Sequence, residues 1–104
     1  MKKSWIRKRN PKRAKKRFDQ AYHSLERVLW VKNGPCCVCG AEPSENMHIR
    51  SRAAGGTWRD VVRGCRVHHN ELHQTGIKTF EERHDICLED VAAKLEREWN
   101  DLGD

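Results

Sequence analysis

Two ligand pairs constrain this chain more than any other feature: Cys36-Cys37-Val38-Cys39 followed by Gly40, and Cys65-Arg66-Val67-His68. A structural zinc takes four thiolate or imidazole ligands, usually as two pairs on tight turns, and both pairs have that spacing. Cys36, Cys39, Cys65 and His68 are therefore expected to hold one structural Zn2+. Cys37 in place of Cys36, as C-x-C, is the alternative; the commoner C-x-x-C-G turn favours Cys36. At 104 residues, 37% hydrophobic and 35% charged, the chain is one small α+β domain whose apolar core alone would be marginal. Five cysteines, an odd number, without a signal peptide, argue against a secreted disulfide framework. Cys87 has no partner in sequence and reads as a small buried hydrophobe.

The charge is divided. Residues 1–17 carry ten Lys/Arg and no acid, so the remainder has eleven basic and fifteen acidic side chains. Such a run gains free energy by releasing counterions from phosphates, which makes Lys12, Arg13, Lys15 and Lys16 candidate nucleic-acid contacts on a flexible basic arm. DNA is the expected partner and RNA the alternative. Nine of the fifteen carboxylates lie at or after Glu81, where they would repel a polyanion. No stretch approaches the roughly 20 apolar residues of a membrane span, and the expected location is the cytoplasm.

Along the body of the domain, residues 18–104, periodicity sets the elements. Phe18, Tyr22, Leu25 and Leu29 recur at helical spacing and predict one helix over about 12–32, with that stripe in the core and Asn33-Gly34-Pro35 as its stop. Glu45–Ile49 and Asp60–Gly64 predict two short strands around a basic loop. Arg66–Thr75 predicts a short helix ended by Gly76. Val91, Leu95 and Trp99 share one face of a C-terminal helix over about 88–101, with Phe80 and Ile86 beneath it.

The stretch from Cys65 to His73, CRVHHNELH, holds two further histidines. A zinc-protease helix needs Glu directly after its first histidine, and Asn70 follows His69. His69 and His73 are four apart and share a helix face, while His68 points about 100° away from His69. One short helix can thus serve two sites. Upstream stand His48, a glycine-containing loop and Asp60.

The order MHIRSRAAGG, DVVRGCRVHH, NELH resembles the HNH endonuclease family over about residues 36–84, and most closely its phage and prophage branch. The resemblance implies a ββα-metal (His-Me finger) core with a supporting zinc, flanked here by N- and C-terminal helices. It implies a metal-dependent hydrolase of DNA phosphodiester bonds in a bacterial host cell. His48 matches the general base and Asp60 the middle Asn, which orients the base or holds metal. His69 matches the final metal ligand and His73 an additional helix ligand. The catalytic ion would be Mg2+, Mn2+ or Zn2+. One departure is Met47, which stands where the family often has a ligand before the base; a thioether is a poor partner for a hard ion.

The chemistry suits these parts. A near-neutral imidazole activates water, and a divalent ion neutralises phosphoryl charge and stabilises the leaving oxygen. Arg50, Arg52, Arg59 and Arg63 surround the expected site and are candidate contacts to the phosphate backbone. The alternative is a non-catalytic zinc module that binds nucleic acid, a reading kept open by Met47.

Overall fold

The computed structural model describes residues 10–103. Its elements run α1 (Pro11–Tyr22), α2 (Leu25–Lys32), β1 (Glu45–His48), β2 (Val61–Gly64), α3 (Arg66–Thr75), α4 (Ile77–His84) and α5 (Leu88–Leu102). Two 3-10 turns, Arg52–Ala54 and Trp58–Asp60, shape the loop between the strands.

The expected single helix over 12–32 is two helices. Asn10 caps α1 by accepting from the Lys12 and Arg13 amides, and Pro11 fills the first turn. His23 ends α1 at φ +74°, and Ser24 starts α2 by accepting from the Arg27 amide. That break rotates α2 out of phase with α1. The apolar stripe expected in the core therefore lies outside it, with Leu25 64% and Leu29 47% exposed. Arg27 and Val31 are the buried residues of α2 instead. Residues 11–17 belong to α1, so this part of the expected arm is helical; residues 1–9 lie outside the described residues.

The sheet is one antiparallel hairpin in which Glu45 faces Gly64, Asn46 faces Arg63, Met47 faces Val62 and His48 faces Val61. Because side chains alternate, the hairpin has two distinct faces. Met47 and Val62 pack with Leu72 of α3, Phe80 of α4 and Leu88 and Ala92 of α5. On the opposite face Val61 packs with Val31 of α2 and Leu95 of α5. Asn46, on that second face, donates to the Val28 carbonyl. The hairpin is thus a partition between α1–α2 and α3–α4, with α5 touching both sides.

Helix α4 was not expected from the sequence. Gly76, at φ +84°, separates it from α3, and Glu81 accepts from the Leu88 amide to lead into α5. Phe80 is fully buried and Ile86 packs beside it. Cys87, expected to be buried, is exposed at the start of α5.

A second framework is cationic. Arg27 has no exposed surface, and its guanidinium lies 4.9 Å from the Trp58 ring centre and 6.0 Å from that of Trp99. Among the described residues its three side-chain nitrogens have no hydrogen-bond partner. Burial lowers its pKa to about 10, against the attraction of Glu96. Trp58 is sandwiched further by Arg59, at 4.4 Å.

Candidate metal centre and the hairpin faces

The four residues expected to hold zinc converge. The turn after α2 is closed by the Gly40 amide donating to the Cys36 carbonyl, and Gly40 itself sits at φ +76°. The Cys37 amide donates to the Arg63 carbonyl and ties this turn to β2. From the other side, Cys65 precedes α3 and His68 lies in its first turn. The donor atoms of Cys36, Cys39, Cys65 and His68 all lie within 4.8 Å of one another. Cys39 Sγ is 3.8 Å from Cys65 Sγ, and His68 Nδ1 is 3.6 Å from Cys36 Sγ and 3.2 Å from Cys65 Sγ. Zn–S bonds of about 2.3 Å and Zn–N bonds of about 2.0–2.1 Å give tetrahedral edges of about 3.8 Å and 3.6 Å. The three thiols and one imidazole fit a tetrahedral zinc.

Of the two neighbouring cysteines, Cys36 and not Cys37 has its sulfur in the converging group. Burial pushes the Cys37 thiol up to about 11, helped by the neighbouring Cys36, and its side chain packs on the core. Burial also opposes ionisation of Cys36, but amides of Cys39, Cys65 and Val38 outweigh it and bring that thiol down to about 6. Cys36 is held as a ligand, Cys37 as a hydrophobe.

Behind His68 stands a group the sequence did not single out. Glu71 accepts from His84 Nε2 at 2.8 Å and from Arg83 at 3.3 Å, and these bonds, that from His84 first, hold its carboxyl below the usual range. The donor atoms of His68, Glu71 and His84 also lie within 4.8 Å of one another, and the His84 ring stands edge-on to His68 at 5.2 Å. His84 thus bonds Glu71 and packs edge-on against His68.

The expected catalytic set does not assemble. Asp60 closes the turn at Trp58–Asp60 by accepting from the Thr57 amide, and its other oxygen lies 3.8 Å from Arg50 Nε. His69 Nδ1 is 2.8 Å from Glu45 Oε1, and the His69 and His73 rings are 4.8 Å apart. The turn that carries Asp60 packs against α1 and α5, whereas His69 and His73 lie on the α3 side of the hairpin. His48 lies on the other side, where its Nε2 donates to the Ala21 carbonyl at 2.8 Å and its ring meets Tyr22 at 5.1 Å. Glu45 and His48 are also about 10 Å apart along β1, at about 3.3 Å per residue. Among the described residues, His48, Asp60, His69 and His73 form no group of three converging donors. The reason is the strand period: His48 and Met47 are neighbours, so they face opposite ways, and Met47 takes the face toward α3.

The four arginines expected around the site divide as well. Arg63 donates to the carbonyls of Val31 and Trp30 and stacks on Trp30 at 4.4 Å, so it caps α2 and is not free for phosphate. Arg59 pairs with Glu96 at 3.2 Å, and Arg50 lies 3.5 Å from Glu89. Arg52 has no ion pair among the described residues. Lys12, Arg13, Lys15 and Lys16 are exposed along α1, with Lys15 paired to Asp19.

No family model matches the chain, and no solved structure does. It is similar to the uncharacterized protein YdfU of Escherichia coli (strain K12), at 34% identity over 73 residues. The match covers 65% of this chain and 21% of that protein, so the chain spans about a fifth of its relative. No helix among the described residues is long and apolar enough to cross a membrane.

Proposed function

We propose that the chain is a zinc-stapled domain of HNH type that hydrolyses DNA phosphodiester bonds, of phage or prophage origin and acting in the host cytoplasm. The observation that carries this reading is the state of His48. A carbonyl oxygen only accepts, so Nε2 donates to Ala21, and the neutral form of the ring carries its lone pair on Nδ1. That is a general base set in one tautomer before substrate arrives. The ring lines a cavity together with Arg17 and Arg52, whose guanidiniums suit phosphoryl oxygens. In the reaction Nδ1 takes a proton from water, the water oxygen attacks phosphorus, and the P–O bond to the 3′-oxygen breaks, that oxygen taking a proton from solvent while the imidazolium gives its own back to solvent.

Further support is the chain order: zinc turn, hairpin, and α3 bearing a second zinc pair, within the span that resembles the family. The four zinc ligands are all protein side chains, a closed set suited to holding structure. A divalent ion, where bound, would neutralise phosphoryl charge. The ligands expected for it, Asp60, His69 and His73, do not converge and so do not fit that role together.

One observation favours the second reading, a non-catalytic zinc module that binds nucleic acid. Met47 fills the place next to His48 where the family often has a metal ligand, and it is fully buried against Leu72 and Phe80. A plasmid-nicking assay with Mg2+, Mn2+, Ni2+ or Zn2+ separates the two. Nicking by the native chain that His48→Ala abolishes supports the hydrolase. Retarded DNA without nicking under any ion leaves the binding module.

A further inference from the structure

The cavity beside His48 has features that general-base chemistry does not require. It has a volume of about 360 Å³ and lies between α1 and the loop after β1, lined by Arg17, Phe18, Tyr22, His48, Arg52 and Gly56. Such a volume is at the small end for ligand clefts and gives room for one nucleotide. Its walls combine two chemistries. Phe18 and Tyr22 stack at 5.3 Å with ring planes 37° apart, and Tyr22 meets His48 edge-on. Phe18 is 37% exposed, although a ring of that size is normally buried. Arg17 and Arg52 flank these rings from two different elements, and neither makes an ion pair among the described residues. The arginines elsewhere on the hairpin and its loop are engaged: Arg50 and Arg59 by carboxylates, Arg63 by carbonyls.

We propose that this cleft seats one nucleotide of single-stranded DNA, with its phosphate between Arg17 and Arg52 and its base against Phe18 and Tyr22. The inference rests on the nucleic-acid part of the proposed function, but not on catalysis. A single strand is chosen over a duplex because a paired base keeps its faces inside the stack, where these rings cannot reach them. Aromatic rings beside a cationic groove are the usual platform for unpaired bases, and they tolerate any sequence. The basic face of α1 continues from the cleft through Lys16, Arg13 and Lys12, a track for the adjoining phosphates.

The test is fluorescence anisotropy of the full-length, zinc-loaded chain with a short labelled oligothymidylate, competed by a duplex of equal length and by inorganic phosphate. Phe18→Ala is expected to weaken binding of the single strand roughly tenfold. Arg17→Ala and Arg52→Ala are each expected to weaken it and to reduce the salt slope by about 0.7. The duplex and inorganic phosphate should compete poorly. Phe18→Leu, which keeps bulk but removes the aromatic face, guards against a folding defect and should lose affinity with unchanged zinc content. Equal affinity in Phe18→Leu and the native chain, or preference for the duplex, overturns the assignment. Binding that depends on Phe18 without plasmid nicking sinks the hydrolase and keeps the cleft. Nicking with single-strand binding indifferent to Phe18 and Arg17 does the reverse.

Discussion

His68 and His69 are adjacent in the chain and serve different neighbours: Nδ1 of His68 lies 3.2 Å from Cys65 Sγ, while Nδ1 of His69 lies 2.8 Å from Glu45 Oε1. The rotation of about 100° between successive residues of α3 separates a residue of the candidate metal group from one that clasps β1. Replacing each by Ala should separate the roles. Zinc measured after dialysis should fall from about one per chain to near none in His68→Ala, and unfolding should lose cooperativity, because structural zinc supplies about 10–16 kcal/mol in small domains. His69→Ala should keep its zinc. Loss of zinc in His69→Ala would show that the two histidines share one metal.

Thiol reactivity offers an independent check on the ligand set. Zinc protects Cys36, Cys39 and Cys65, and Cys37 resists because its thiol is pushed up to about 11 and packs on the core. The exposed Cys87 is left. Titration of the native, zinc-loaded chain with a thiol reagent should therefore modify about one cysteine, a signal that disappears in Cys87→Ser. Chelation under denaturing conditions should release all five. Rapid modification of Cys37 in the native chain would reverse its assignment against Cys36.

Arg52 and Arg63 looked alike in sequence and should behave differently. Arg63 holds two carbonyls at the end of α2, and Gly34 fits beneath it so closely that a Cβ there would lie 2.2 Å from the guanidinium carbon. Arg63→Ala should cost about 1–3 kcal/mol of stability in urea unfolding by leaving those carbonyls unpaired. Arg52→Ala should leave the unfolding midpoint nearly unchanged and weaken DNA binding. Equal effects of the two on DNA affinity, at equal stability, would return Arg63 to the binding surface.

Much of the scaffold was legible because local rules governed it. The two pairs C-x-x-C and C-x-x-H fixed their own turns, the second strand followed from the apolar pair Val61-Val62 before Gly64, and Gly76 marked the end of α3. The break at His23 was missed because Phe18, Tyr22, Leu25 and Leu29 keep one helical period across it. The capping residue Ser24 was the signal that outranked periodicity. The expected catalytic cluster was read from the order of residues, and order does not say which face of a strand a side chain takes. The alternation at Met47 and His48 decided that, with α1 covering one face and α3 the other. Glu71 and His84 were invisible for the opposite reason: they meet only after α4 folds back.

Arg27 carries the least expected relationship in the core, a buried guanidinium held by Trp58 and Trp99 with no hydrogen-bond partner among the described residues. A cation over desolvated rings gains about 2 kcal/mol, whereas stripping it of water costs several. Its bulk should therefore matter more than its charge. Arg27→Ala should destabilise the zinc-loaded chain by about 3–5 kcal/mol, since it opens a cavity between the two indoles. Arg27→Met fills much of that space without a buried charge and should come within about 1.5 kcal/mol of the native chain, or exceed it. Urea unfolding of the two variants reads the difference directly. If Arg27→Met loses as much as Arg27→Ala, the guanidinium holds the tryptophans by charge, and the attraction of Glu96 is then the interaction to remove next.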